Sequence, residues 1–158
     1  MVETNYLIEE FMLLANISVA ERIYERFPSI SILRRHTQPK MNDLQTLKEI
    51  VKDYGYDFNF NSSKELADSL DQLNRQGDSF FNKLIRIMTT RCMNEATYFC
   101  SADYDVQEFH HYGLATDFYT HFTSPIRRYA DVLVHRLLVA AIDLEPLPNF
   151  MSNYLFYF

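Results

Sequence analysis

The chain predicts an α+β fold dominated by helices. Apolar residues recur at helical spacing in five separate stretches, strand-like alternation is confined to short segments, and glycine and proline are scarce, 3 and 5 in 158 residues. A hydrophobic content of 47% excludes a disordered chain, and the length suffices for a domain with a core.

Each element follows from local chemistry. Ile8, Phe11, Met12, Ala15, Val19, Ile23 and Phe27 place a long amphipathic helix over residues 5–27, stopped by Pro28. Arg34, Arg35 and His36 form a basic run expected in a loop that continues past Pro39. Leu44, Leu47, Ile50, Val51 and Tyr54 mark a second helix, closed by Gly55 where left-handed backbone is favoured. Residues 57–61 alternate as a short strand would. Ser62 and Glu65 have capping-box spacing and open a third helix through Leu66, Leu70 and Leu73. Asp78 is expected to cap a fourth, carrying Phe81, Leu84, Ile85, Met88 and Cys92.

Beyond that helix the pattern changes. Residues 96–101, with Tyr98, Phe99 and Cys100, read as a strand, 103–108 as a turn, and 111–115 as a second strand. Ser124 as N-cap and Pro125 at the first helical position then open the last helix. Its apolar positions are Ile126, Tyr129, Ala130, Leu133, Val134, Leu137 and Leu138, and it ends near Ile142.

Charge and cysteine usage narrow the function classes. A formal charge of −6 argues against strong nucleic-acid affinity of the chain as a whole, because that affinity scales with neutralised phosphates. The distribution is uneven, with the arginines grouped at Arg34, Arg35, Arg86, Arg91, Arg127, Arg128 and Arg136. Cys92 and Cys100 form no metal or disulfide framework, which suits a reducing compartment, cytosol or nucleus. No stretch is apolar and long enough to span a membrane, and no membrane partner is expected.

Several residues point to phosphate and base binding. With a helix start at Ser124, Arg127 and Arg128 fall in the first turn, where the dipole disfavours cations but backbone N–H groups and guanidinium groups together trap an anion. The bland alternative is that they are solvated or pair with Asp131. Tyr112, Tyr119, His121 and Phe122 stand near these cations, as in channels that stack single-stranded bases, although Phe122 fits core packing better. Gly113 permits close backbone approach. Glu9 or Glu10, with Asn16 seven residues after Glu9, places polar groups on an otherwise apolar helix. Arg34 and Arg35 suit contacts to a phosphate backbone.

Two other constellations fail on geometry. Ser124, Asp131 and His135 tempt a hydrolase-triad reading, but Asp131 and His135 lie one helical turn apart and Ser124 is already used as a cap. His110, His111 and His121 make a poor metal site, since neighbouring strand residues face opposite ways.

Four stretches, in this order, carry a family resemblance: ETNYLIEEFMLLANISVAERI at 3–23, LRRH at 33–36, SLDQL with RIMTTRCMNEATYFCS, and HYGLA with YTHFTSPIRRYADVLVHRLL. They resemble the RNase II (RNB) family of processive 3′-to-5′ exoribonucleases, particularly its eukaryotic exosome-associated members. The resemblance implies that residues 1–143 are a downstream part of the exoribonuclease domain and that 144–158 form a divergent aromatic tail. It implies Arg127 as the catalytic residue holding the scissile-end phosphates. Arg128, Glu9, Glu10, Asn16, Tyr112, Gly113, Tyr119, His121, Arg34 and Arg35 become RNA-binding candidates, with one glutamate of the first motif contacting the 3′ nucleotide. Thr37 departs from a proline common in the family.

Single-stranded RNA and exosome subunits are the implied partners, in the nucleus or cytoplasm. Family members use Mg²⁺ held by an aspartate cluster upstream of the first motif. Asp103 and Asp105 do not match that cluster, so no Mg²⁺ is expected on this chain and it is expected to be inactive alone. The alternatives are a non-catalytic RNA-binding or exosome-associated subunit, or an inert truncated product. The apolar first helix and the aromatic tail (Phe150, Tyr154, Phe156, Tyr157, Phe158) lead to an expectation of self-association or dependence on a partner.

Overall fold

The computed structural model describes residues 3–73 and 80–149. Its elements in order are α1 (Glu3–Arg26), β1 (Ile32–Arg35), α2 (Met41–Asp53), α3 (Ser63–Gln72), α4 (Phe81–Cys92), β2 (Thr97–Cys100) and α5 (Tyr129–Ala141), with short 3-10 turns between β2 and α5. The expected helix-dominated α+β class holds. The elements fall into two compact units, one from the described parts of 1–36, 96–111 and 116–158, the other from 37–95 and 112–115.

The first unit packs α1 and α5 with a two-stranded antiparallel sheet. Register pairs Ile32 with Cys100, Leu33 with Phe99, Arg34 with Tyr98 and Arg35 with Thr97. Alternation sends Leu33 and Phe99 into the core and leaves Arg34 and Tyr98 on the other face. The core adds Val19, Ala20 and Ile23 from α1 and Val134, Leu137 and Ala141 from α5, around buried Phe109. Phe109 meets Tyr24 edge-on at 5.6 Å and Phe99 at 4.9 Å. Arg22 donates to the carbonyl of Ala141 at 3.1 Å, satisfying one of the acceptors that the end of α5 leaves open.

The second unit is α2, α3 and α4 around Leu44, Leu47, Val51, Phe58, Leu66, Leu70, Leu73, Phe81 and Ile85. Its sequence signals translate directly. The Glu65 N–H donates to Ser62 Oγ at 3.1 Å, although the Glu65 carboxylate takes the Asn61 amide rather than closing the box. Gly55 has φ +83 just beyond α2, the left-handed conformation expected there. Asn82 on α4 donates to the carbonyls of Leu70 and Leu73, at 2.6 and 2.9 Å, which closes the end of α3.

Three local expectations are corrected. Arg34 and Arg35 lie in strand β1, not in a loop, because Leu33 is drawn into the core and the backbone then pairs with β2. Residues 57–61 form no strand: Ser69 Oγ accepts from the Asn59 N–H and donates to its carbonyl, so a side chain replaces a ladder partner. Residues 111–115 are not a strand either. His111 makes isolated bridges with His36 and Thr116, a 3-10 turn follows at Tyr112–Leu114, and Ala115 takes φ +51. Asp78 and the aromatic tail from Phe150 lie outside the described residues.

The two faces of α4 yield a stability contrast. Ile85→Ala, at a fully buried position, should cost ~2–5 kcal/mol, whereas Ile87→Ala on the exposed face should stay within ~0.5 kcal/mol. Urea denaturation of the two variants measures the difference.

Candidate nucleic-acid interface

The segment from Tyr119 to Arg128 is irregular, and buried polar side chains hold its shape. Asn16, 4% exposed on α1, accepts from the Phe122 N–H at 2.9 Å and donates to the Tyr119 hydroxyl at 3.1 Å. Thr120 donates to the Ile32 carbonyl at 2.7 Å, and the Tyr119 carbonyl accepts from the Arg34 N–H at 2.7 Å. His135 on α5 stacks on the Phe122 ring at 4.2 Å and its Nε2 lies 2.8 Å from the Phe122 carbonyl. Each backbone group so engaged is one that a loop would otherwise have to offer to water.

The start of α5 differs from the sequence expectation. Ser124 is not its N-cap. Residues 125–127 form a turn in which the Ser124 carbonyl accepts from the N–H groups of Arg127 and Arg128, and the helix begins at Tyr129 with Arg128 in extended backbone at φ −131. The cause is Asp131, which is completely buried and takes three bonds of 2.8 Å, from the Ser124 N–H and from Arg128 Nε and Nη2. Folding the chain back so that Ser124 reaches Asp131 is incompatible with helix at 125–128. Burial, the largest single effect on the Asp131 carboxyl, would raise its pKa. The Arg128 hydrogen bonds, the Ser124 N–H and the Arg128 charge together outweigh it, and the pKa is lowered.

The expected first-turn anion trap is therefore revised. Arg128 pairs with Asp131, as the bland alternative had it, and spends two of its five N–H donors there. Arg127 projects from the preceding turn and is exposed, next to Ile126 at 97% exposure. Ile126 and Tyr129, expected on the buried stripe of the helix, are both solvent-facing for the same reason.

A cavity of about 330 Å³ lies between α1 and this loop, lined by Asn5, Ile8, Glu9, Met12, Leu13 and Asn16 from the helix and by Tyr119, Thr123 and Arg128. Asn5, Glu9 and Asn16 share a strip of α1, since successive residues turn by ~100°. Glu9 and Glu10 are both exposed, and only Glu9 is in the lining. Thr123 is in the lining, and its Oγ1 is buried with no hydrogen-bond partner among the described residues. The cavity is polar at Asn5, Glu9 and Arg128 and apolar at Ile8, Met12 and Leu13, a combination that suits a sugar and its base.

A second cluster adjoins Arg128. The Arg34 guanidinium lies over the Tyr98 ring at 4.8 Å, Tyr98 hydroxyl and His121 Nδ1 are hydrogen-bonded, and His121 meets Tyr119 edge-on at 5.5 Å. Burial first, then the charges of Arg128 and Arg34 with a smaller push from Arg127, lower the His121 pKa from 6.5 to about 4. His111, at 5.1 Å from the Tyr119 ring, is also lowered to about 4, by burial and then by His36 and Arg34. Both imidazoles are thus neutral at pH 7, in a field set by arginines.

The remaining candidates have other surroundings or belong to the other unit. Arg35 is held over Tyr104 at 3.8 Å and against Glu108 at 3.5 Å. Tyr112 and Gly113 belong to the second unit. Ser124, Asp131 and His135 do not form a triad, for Asp131 binds the Ser124 backbone and His135 the Phe122 carbonyl. Among the described residues no group of three or more His, Cys, Asp or Glu could hold a metal ion. Sequence reasoning missed Tyr98 and Thr123. Tyr98 becomes visible once β1 is read as a strand, because it then stands opposite Arg34.

The chain matches the RNB domain over residues 2–143. It is 55% identical over 152 residues to the exosome complex exonuclease RRP44 homolog A of Arabidopsis thaliana, an alignment covering 96% of this chain and 16% of that protein. Among solved structures it resembles yeast Ssd1, a pseudonuclease, at 34% identity and TM-score 0.80, covering 92% of this chain and 18% of the other. It also resembles Mycoplasma genitalium RNase R in complex with double-stranded RNA, at 28% identity and TM-score 0.73, covering 98% and 27%. No described helix is long and apolar enough to cross a membrane.

Two outcomes follow from the geometry. Asp131→Ala leaves the Arg128 guanidinium and the Ser124 N–H without their partner and should cost ~3–5 kcal/mol in urea denaturation. Because His111 and His121 bind protons less readily folded (about 4) than at the ordinary 6.5, the unfolded chain holds more protons in that window. The melting temperature should therefore fall as pH drops from about 6.5 to 4, and His121→Gln should make that fall shallower.

Proposed function

This chain belongs to the RNB domain family, and from that premise we propose that it supplies the RNA-holding part of a hydrolytic 3′-to-5′ exoribonuclease acting on single-stranded RNA. The observation that carries this reading is the convergence of Glu9, Thr123 and Arg128 on one cavity, beside the Arg34–Tyr98–His121 cluster. The chain spans about 16% of the length of the Arabidopsis relative.

In this reading the 3′-terminal nucleotide enters the cavity. Glu9, rather than Glu10, accepts hydrogen bonds from ribose hydroxyls, the groups that distinguish RNA from DNA. Arg128, held rigid by Asp131, contacts a phosphate with its remaining donors, and Arg34, Tyr98 and His121 carry bases and backbone further along the strand. Asn16 and Tyr119 shape the cavity through the hydrogen bond between them. Arg127 has no side-chain partner within the described residues and is assigned to the scissile phosphate, where a bidentate guanidinium stabilises charge that develops in the transition state.

By the family resemblance the hydrolytic chemistry is supplied by Mg²⁺. The described residues do not fit that ion: no suitable cluster exists among them, and the buried carboxylate of Asp131 is committed to Arg128 and Ser124. The ion is assigned to carboxylates elsewhere in a complete enzyme, acting in the nucleus or cytoplasm, with exosome subunits as partners by analogy with the relative's name. The likeness to a pseudonuclease favours a second reading, an RNA-binding module without chemistry.

A chimaera separates the two, with this chain replacing the matching segment of the Arabidopsis relative. Stepwise release of mononucleotides from the 3′ end of a labelled single-stranded RNA is expected, and RNA binding without turnover would instead establish the second reading. In that chimaera Arg127→Ala should slow turnover by a factor equivalent to ~2.7–4 kcal/mol while changing RNA affinity less. The isolated chain with Mg²⁺ should release no mononucleotides from the same substrate.

A further inference from the structure

His121 is a half-buried imidazole set among more cations than acids. Arg128, Arg34 and Arg127 all act on its ring as positive charges, and Asp131 is the carboxylate that opposes them. Asp131 is committed to Arg128, whereas Arg34 lies over the Tyr98 ring and makes no ion pair with a described residue. The other neighbours are uncharged at neutral pH. Tyr98 on β2 is hydrogen-bonded to Nδ1, Tyr119 meets the ring edge-on at 5.5 Å, and His111 lies 5.1 Å from that same Tyr119 ring. From α1 the neutral amide of Asn16 reaches the Tyr119 hydroxyl. His121 Nε2 makes no hydrogen bond with a described residue and is not sealed from solvent. An oxyanion is what such a surplus of positive charge attracts. Once bound, its charge offsets the arginines, and they no longer oppose a second proton on the ring. The imidazolium then has two donors, Nδ1–H toward the Tyr98 oxygen and Nε2–H toward the anion.

We propose that Arg34, His121 and Arg128 form an oxyanion site that takes up one proton as it fills, His121 becoming imidazolium. In the RNA-holding reading above, on which this rests, the anion is a phosphodiester of the bound strand. The proton comes from water or buffer acid and returns to it when the strand leaves. Such coupling is reciprocal: an anion that favours the proton is itself favoured by the proton, and by the same factor. Free His121 titrates at about 4 against an ordinary 6.5, so affinity rises as pH falls below 6.5 and levels off near 4, where the empty site is already protonated. Full return of the ring to 6.5 on binding sets an upper limit of about twentyfold tighter binding at pH 5 than at pH 7. Burial is the largest of the depressing effects and an anion does not remove it, so the gain falls below that limit.

The test titrates the chain with an oligouridylate and, separately, with sulfate, from about pH 7.5 to 5 in the presence of a chelator. Neither probe changes its own protonation in that range, and constant ionic strength removes the counterion contribution. Calorimetry in two buffers of different ionisation enthalpy counts the protons taken up. Affinity for the oligouridylate should rise several-fold toward pH 5 with net proton uptake, and His121→Gln should remove the uptake and most of the rise. A readout without substitution is the NMR titration of the His121 ring, which should move upward from about 4 when the oligouridylate is bound. Binding without proton uptake, an unmoved His121 titration, or uptake that survives His121→Gln would overturn the proposal and leave the RNA-holding reading standing. Proton-linked binding of sulfate with no binding of oligouridylate would remove that reading and keep the site. Binding of neither probe overturns both.

Discussion

The first unit depends on one buried carboxylate. Asp131 has no solvent exposure, and an isolated charge in that position would be prohibitively unstable. Three hydrogen bonds offset the burial, two from a guanidinium and one from a backbone N–H. In forming them Asp131 dictates where α5 starts, how the turn at 125–127 folds, and which arginine is fixed and which projects. A pair of adjacent arginines that look equivalent in sequence thereby acquires two roles, one as a positioned wall of the cavity and one as an exposed cation.

The loop before that turn is held by the same kind of device at smaller scale. Asn16 and His135 reach it from two helices and satisfy the backbone of a single residue, Phe122, from opposite sides. Buried polar side chains stabilise little by themselves, because each bond replaces one to water. Their effect is geometric: few other arrangements satisfy all of them, so the loop takes a single shape. Such rigidity is what a binding surface needs from irregular backbone, and it brings Tyr119, Thr123 and Arg128 to Glu9.

The electrostatics of the surface are local, not global. The chain carries a net −6, yet His121 titrates near 4 in part because Arg128 and Arg34 lie close to it. A neutral imidazole between cations and aromatic rings can stack and form hydrogen bonds without adding charge. The acidic surplus in residues 42–78 lies almost wholly in the second unit, which has its own core and its own helix-end bonds. Composition averaged over the chain therefore hides the cationic and aromatic cluster of the first unit.

By itself the sequence determined the class of fold, the helices with strong apolar periodicity, the Ser62 cap, the Gly55 stop and the β2 strand. These depend on contacts within a few residues, and local chemistry reports them faithfully. The order of the four motifs also sufficed to point to the family. Tertiary structure decided the rest. Whether Ser124 caps a helix depended on a carboxylate seven residues away being buried, and Ser-Pro alone cannot report that burial. Arg34 and Arg35 became strand residues because β2, some sixty residues later, offered them a partner. That Glu9 and not Glu10 lines the cavity depends on which side of α1 the loop at 119–128 packs against. Hydrogen bonds between Asn16, Tyr119 and Phe122, more than a hundred residues apart in the chain, settle that packing.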